Sequence, residues 1–244
     1  MQNLQTLSPP FNHSSLQALQ SRLQAETDRR QSRNRLLRYE PYPKQAAFHA
    51  AGATRRERLL IAGNQLGKTY SGAAEAAFHL TGRYPDWWQG RRWHRPVRAW
   101  AGSETWDVTR DGVQRILVGE PKDQSMWGTG LIPGDDLLDW GRRQGVADAL
   151  DNVIVKHVTG GKSVLGFKAY EQGRTKWQSE TLDFIWFDEE PPQDIYFEGL
   201  TRTNATEGLI FMTFTPLKGM SDVVYSFIQE CGESIGLKAA ARQV

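Results

Sequence analysis

Apolar positions are sparse at the start of the chain and dense in short blocks after residue 58. From Ser15, Leu16, Leu19 and Leu23 recur at helical spacing among Gln and Arg, after a Pro- and Asn-containing start over residues 1–13. That spacing predicts a helical arm whose leucines lie on the body of the domain or on a neighbour. The run YEPYP at 39–43 breaks the pattern ahead of an Ala-rich helix over 45–51. Residues 59–62 (LLIA) read as a short buried strand, and 70–80 as a helix of small, strongly helix-forming residues. A strand over 97–101 and a helix over 105–118 come next, then a polar, ambiguous stretch at 140–151. Two β-like runs, 153–158 and 164–167, flank TGGK, a hairpin signal with glycines at the turn. Buried strands follow at 182–187 and 209–214. Strands alternating with helices predict an α/β fold with a mainly parallel sheet flanked by helices.

The loop between the first strand and its helix carries the first chemical signal. Residues 62–69 read AGNQLGKT, one residue away from the pattern G-x-x-x-x-G-K-[ST], with Ala62 in the first place. Gly63, Asn64, Gln65, Leu66 and Gly67 would wrap phosphates with backbone N–H groups at a helix N-terminus, where the dipole also favours negative charge. Lys68 would reach the β- and γ-phosphates of ATP, and the Thr69 hydroxyl would ligate Mg²⁺. GKT alone is weak, but strand, loop, GKT and helix in this order make a specific signal.

A second signal lies 120 residues on, where the apolar strand FIWF ends in Asp188 and Glu189. Ligand chemistry gathers at the carboxyl edge of a parallel sheet. Asp188 would hold the magnesium, and Glu189 would polarise an attacking water as general base. The alternative is a strand that happens to end in ordinary acids, Glu190 among them.

Composition narrows the setting. The hydrophobic fraction of 39% and charged fraction of 24% are those of an ordinary soluble globular chain, and no apolar run approaches the roughly 20 residues of a membrane span. The single Cys231 excludes an intramolecular disulfide and a Cys-built metal site, so a reducing, cytoplasmic setting is expected. A formal net charge of +2 does not announce a nucleic-acid binder. Two arginine clusters stand out: Arg29, Arg30, Arg33, Arg35 and Arg38, and then Arg91, Arg92, Arg95 and Arg98 beside Trp87, Trp88 and Trp93. These either grip phosphates and stack on bases or form a solvated basic face over buried tryptophans.

In order and spacing, YEPYPKQ, GNQLGKT, FIWFDEEPP and TFTPLKG resemble the ATPase domain of the large terminase subunit of tailed bacteriophages, over about residues 39–219. The resemblance implies a P-loop NTPase of RecA/ASCE-like type that hydrolyses Mg-ATP to drive double-stranded viral DNA into a capsid. It implies Gln45 for adenine recognition, with Tyr42 flanking the base, and Thr213 and Thr215 for coupling hydrolysis to movement. It also implies the portal protein, the small terminase subunit and a homo-oligomeric ring as partners, in the host cytoplasm and away from membranes. The corresponding domains are an N-terminal arm at 1–38, the ATPase domain at 39–230, and a tail or the start of a linker at 231–244.

Two departures qualify the match. Some relatives carry an arginine inside the phosphate loop, where this chain has the neutral Asn64. The missing charge must come from elsewhere; Arg110 is the first candidate and Arg202 the second. Full-length members also continue into a nuclease domain, for which these 244 residues leave no room. Two other readings stay open, a helicase-like ATPase and a non-catalytic, nucleotide-dependent assembly module.

Overall fold

The two strands at the centre of the sheet, Phe184–Asp188 and Leu209–Phe214, are apolar at all but one position each, as expected where both faces of a sheet are covered. In the strand Phe184–Asp188, Phe184 and Trp186 enter one apolar cluster, and Ile185 and Phe187 the other. The strand Leu209–Phe214 splits the same way, with Leu209 and Phe211 on one face and Ile210, Met212 and Phe214 on the other. Side chains alternate with period two, so each strand joins two cores.

The computed structural model describes residues 13–63, 65–178, 180–215, 223–225, 227 and 239–242. Its strands are β1 (Glu57–Ile61), β2 (Arg98–Ser103), β3 (Leu137–Arg142), β4 (Leu150–Lys156), β5 (Lys162–Ala169), β6 (Phe184–Asp188), β7 (Leu209–Phe214) and β8 (Ala239–Arg242). They form one sheet in the order β3-β4-β5-β2-β6-β7-β1-β8. The five strands from β5 to β1 are mutually parallel, while β4 and β3 extend one edge and β8 the other in antiparallel sense. The mainly parallel α/β fold expected from the alternating pattern is the one observed.

Helices cover both faces. The small residues of α3 (Lys68–Thr81) let it pack closely on one face, with Ala73, Ala74, Ala76 and Ala77 fully buried. On the other face, α6 (Gln193–Asn204) buries Ile195 and Tyr196, beside Val223, Val224 and Phe227. Before them come α1 (His13–Ser32) and α2 (Pro43–Ala51). The helix expected over 105–118 is present but irregular: α4 (Trp106–Val108) passes through a π-helical segment, Thr109–Gln114, into α5 (Arg115–Val118). Such π-turns concentrate at functional sites.

Three stretches are resolved further by the structure than by the sequence pattern. Of the two placements expected for the leucine stripe of α1, the body of the domain is not the one observed, since Leu16, Leu19 and Leu23 are 47%, 49% and 60% exposed, and a neighbour is left. The ambiguous stretch at 140–151 belongs to β3 and the start of β4, an edge hairpin whose exposed face reads as polar. Within 231–244, expected as a tail or linker, Ala239–Arg242 pairs with β1 as β8. Among the described residues no helix is long and apolar enough to cross a membrane.

One buried charge cluster ties the layers together behind the loop. Arg58 of β1 and Glu75 of α3, both fully buried, form a bidentate pair, with the Arg58 Nη1 to Glu75 Oε2 distance at 3.1 Å. His49 of α2 lies 2.7 Å from the same carboxylate, and His79 of α3 lies 3.4 Å from it. Burial pushes the Glu75 carboxyl up, but the Arg58 charge and the two histidine hydrogen bonds outweigh it and hold the group well below its ordinary value.

Candidate active site

The loop leaves β1 at the carboxyl edge of the sheet and enters α3 through two left-handed residues, Gln65 (φ 59°) and Gly67 (φ 73°). Gly67 meets two requirements at once. It adopts a conformation that costs other residues energy, and a Cβ there would lie 3.2 Å from Gln45 Nε2. The chain's turn presents the free N–H groups at the start of α3, the arrangement that binds anions. Lys68 is buried and folds back, its ammonium donating to the Gly63 carbonyl at 2.8 Å. Burial lowers the Lys68 pKa against the opposing pull of Glu189 and Asp188, which places both carboxylates near its charge. Asn64 lies outside the described residues.

Strand order brings the acids to this loop. β7 lies between β1 and β6, in register so that Asp188 pairs with Thr213 and Ile61 with Phe214. Thr213 and Trp186 face α3, and the Trp186 indole N–H donates to Thr213 Oγ at 2.8 Å. An indole only donates, so the Thr213 hydroxyl is left to donate onward, to Asp188 Oδ1 at 2.8 Å. Thr69 also hydrogen-bonds Asp188. Burial pushes the Asp188 carboxyl up to about 7, with Glu189 adding to the shift and Thr213, Thr69 and Lys68 opposing it.

Glu189 follows in a left-handed backbone conformation, φ 67°. Its N–H donates to the Thr213 carbonyl at 2.8 Å, and its Oε2 accepts from the Thr215 N–H at 3.1 Å. The π-helical segment closes the far side, where a Cβ on Gly112 would stand 4.0 Å from Asp188 Oδ2. Lys68, Thr69, Asp188, Glu189, Thr213 and Thr215 are therefore brought together.

Other candidates sit differently. Gln45 is buried, accepts from the Tyr42 N–H at 2.9 Å, and donates to the Gly67 carbonyl at 3.2 Å, so its amide is engaged with the loop itself. The Tyr42 ring is 69% exposed. Arg110 is held by Asp107 at 2.9 Å and Asp111 at 2.8 Å. Arg202 pairs with Glu198, and its carbonyl accepts from Leu182 at the amino edge of the sheet, opposite the loop. In the second arginine cluster Trp88 and Trp93 are buried, Arg91 and Arg95 lie over Trp93, and Arg95 pairs with Asp183. Sequence reasoning missed Trp186, Tyr170, Gly72 and Gly112; the first is hidden in an apolar strand and the others carry no motif.

The donors suit magnesium. A hydroxyl and a carboxylate supply hard oxygens, and Mg²⁺ typically takes one or two such ligands, with waters and phosphate oxygens completing its shell. A buried carboxylate whose charge is disfavoured chiefly by burial, and further by Glu189, would regain its ionised form beside a cation.

A parallel sheet with this loop at its carboxyl edge, and paired acids one strand removed, defines a P-loop NTPase of RecA/ASCE-like layout. The family model for the terminase large subunit, T4likevirus-type, N-terminal, matches residues 59–242. The large terminase subunit of Salmonella phage P22 is 45% identical over 221 residues, covering 83% of this chain and 44% of that protein. That of Enterobacteria phage LP7 is 31% identical over 137 residues, covering 54% and 28%. The chain belongs to the large terminase subunit family. It spans less than half the length of these curated relatives. In fold it is similar to the large terminase ATPase domain of Thermus phage P74-26, solved as an arginine-to-alanine mutant, with a TM-score of 0.56 at 20% identity over 83% of this chain and 75% of the other.

Proposed function

We propose that this domain (residues 39–230) hydrolyses Mg-ATP and powers translocation of double-stranded viral DNA into a capsid in the host cytoplasm. The observation carrying the reading is the meeting of Lys68, Thr69, Asp188 and Glu189 around one loop, with Thr213 bonded to Asp188. Lys68 exchanges its Gly63 carbonyl for the β- and γ-phosphates, a charge-assisted contact. Thr69 and Asp188 hold the metal. Bound Mg²⁺ supplies neutralisation of charge on the phosphate oxygens. Glu189 accepts the proton of the attacking water as the water oxygen bonds the γ-phosphorus and the bond from that phosphorus to the bridging oxygen breaks, so that ADP and phosphate leave. Gln45 and Tyr42 serve the adenine once Gln45 releases the loop, and Thr213 and Thr215 carry the state of the site into the chain beyond β7. Arg110 of a neighbouring subunit supplies positive charge in the transition state. The portal protein and small terminase subunit are the partners of the assembled ring.

Phosphate release with and without duplex DNA tests this. Glu189→Gln should keep nucleotide affinity while turnover falls by about 10² or more. Lys68→Ala should lose binding as well. Undiminished turnover in Glu189→Gln removes Glu189 as the base, whereas a parent chain that binds ATP and releases no phosphate leaves the assembly-module alternative.

A further inference from the structure

We propose that Tyr170 is a positioning residue for Glu189; the inference rests on reading Glu189 as the hydrolytic base. Tyr170 stands just past β5, its ring buried between Trp177 and Phe187 at centroid distances of 5.8 and 6.0 Å. Its hydroxyl reaches the ends of two further strands. It lies 2.8 Å from the Glu189 carbonyl, 3.1 Å from the Gly102 carbonyl and 3.2 Å from the Asp188 carbonyl. A phenol has one proton to give. The shortest of the three contacts directs it to Glu189.

That carbonyl belongs to the residue whose backbone most needs support. Glu189 sits at φ 67°, a region that non-glycine residues leave unless the surroundings over-determine it. From the β7 side, the Thr213 carbonyl takes the Glu189 N–H and the Thr215 N–H holds its carboxylate. Tyr170 grips the same residue from the β5 and β2 side through the carbonyl. Rotating the backbone at Glu189 out of the left-handed region would break these contacts together and swing the carboxylate away from the loop. Tyr170 therefore fixes the direction of the base without touching the nucleotide.

The alternative is that the phenol only satisfies buried carbonyls, a structural duty that would weaken the fold and leave the chemistry alone. Tyr170→Phe separates the two, because it keeps the ring packing and removes one oxygen. The measurements are kcat and KM for ATP, affinity for a fluorescent ATP analogue, and the melting temperature, in the parent, Tyr170→Phe, Glu189→Gln and the double variant. The expected result is a kcat lowered about tenfold in Tyr170→Phe, with KM and analogue affinity within about twofold of the parent. In the Glu189→Gln background the same change should cost nothing further, since the group it positions is gone. Placing p-aminophenylalanine at 170, which restores a donor, should recover turnover.

The proposal is overturned if kcat stays at the parental level, if the two losses multiply in the double variant, or if affinity and kcat fall together. A Tyr170→Phe chain that cannot fold while the p-aminophenylalanine chain folds with parental kcat also overturns it, by making the donor a requirement of the core. If Glu189→Gln itself hydrolyses ATP normally, the reading of Glu189 as the base fails instead, and the two failures are told apart.

Discussion

Gly72 offers a test in which two effects of opposite sign compete. It lies in the middle of α3, where alanine is normally preferred by up to about 1 kcal/mol. A Cβ added there would stand 2.5 Å from Trp186 Nε1 and 2.6 Å from Cε2. Ordinary contact needs roughly 1 Å more. The indole cannot swing aside: it is fully buried and lies nearly parallel to Phe211, and its N–H is committed to Thr213. Overpacking a rigid core typically costs about 1–3 kcal/mol, and this clash with ring atoms belongs in the upper part of that range. After the helix-propensity gain, Gly72→Ala should be destabilised by about 1–2 kcal/mol. For a chain of this size that lowers the melting temperature by about 2–8 °C. Because the displaced group orients the Thr213 hydroxyl toward Asp188, turnover should fall further than nucleotide affinity. Thermal unfolding followed by circular dichroism is sufficient for the first part. A variant that melts at or above the parent would show that helix propensity wins and that Trp186 is not fixed as described.

The Arg58–Glu75 pair should make Glu75→Gln severely destabilising, by about 3–5 kcal/mol, because it leaves a buried guanidinium without its counter-charge; chemical denaturation measures this. Stability should also fall in acid in two stages. Burial lowers the His79 pKa despite the Glu75 hydrogen bond. Below about pH 6.5 the unfolded chain therefore takes up a proton that the folded chain refuses, and stability declines as pH falls. Glu75 has a depressed folded pKa, so its contribution is complete above the ordinary value of about 4.3 and is lost as pH falls through the lower folded value. Melting curves between about pH 8 and pH 5 should show the first stage, with a shallower decline in His79→Gln; an identical slope would contradict the assignment. For the trans arginine, Arg110→Ala subunits should be slower by about 10³ under assembling conditions, and mixing them with Lys68→Ala subunits should restore part of the activity. Parental turnover in Arg110→Ala alone would return Arg110 to its pairing with Asp107 and Asp111 as a structural role.

Legibility in the sequence followed how local each feature is. The β1–loop–α3 unit could be read because strand, loop and helix are consecutive and each carries its own signal. The acidic end of β6 was readable for the same reason. What brings Asp188 to the loop is β7 lying between β6 and β1, a long-range pairing with no local mark. Tyr170 lies in a short 3₁₀ turn, and its role depends on strand ends far away in sequence. Arg58 and Glu75 look like exposed charges on a strand and a helix; only their burial against each other gives them meaning. The leucines of α1 left two placements open, since periodicity shows that a face is apolar but not whether the domain or a neighbour covers it.

The placement of β7 has a consequence for how the domain would behave under load. One strand end touches both carboxylates, Asp188 through the Thr213 hydroxyl and Glu189 through the Thr215 amide. Were the state of the nucleotide passed to the chain beyond Thr215 as proposed above, the contact would also work in reverse, because coupling between two sites is reciprocal in free energy. Tension applied along that chain would draw the Thr215 amide away from the base before it disturbed the phosphate loop. Resisting force would then register first as slower hydrolysis with nucleotide still held, so that a stalled domain keeps its fuel.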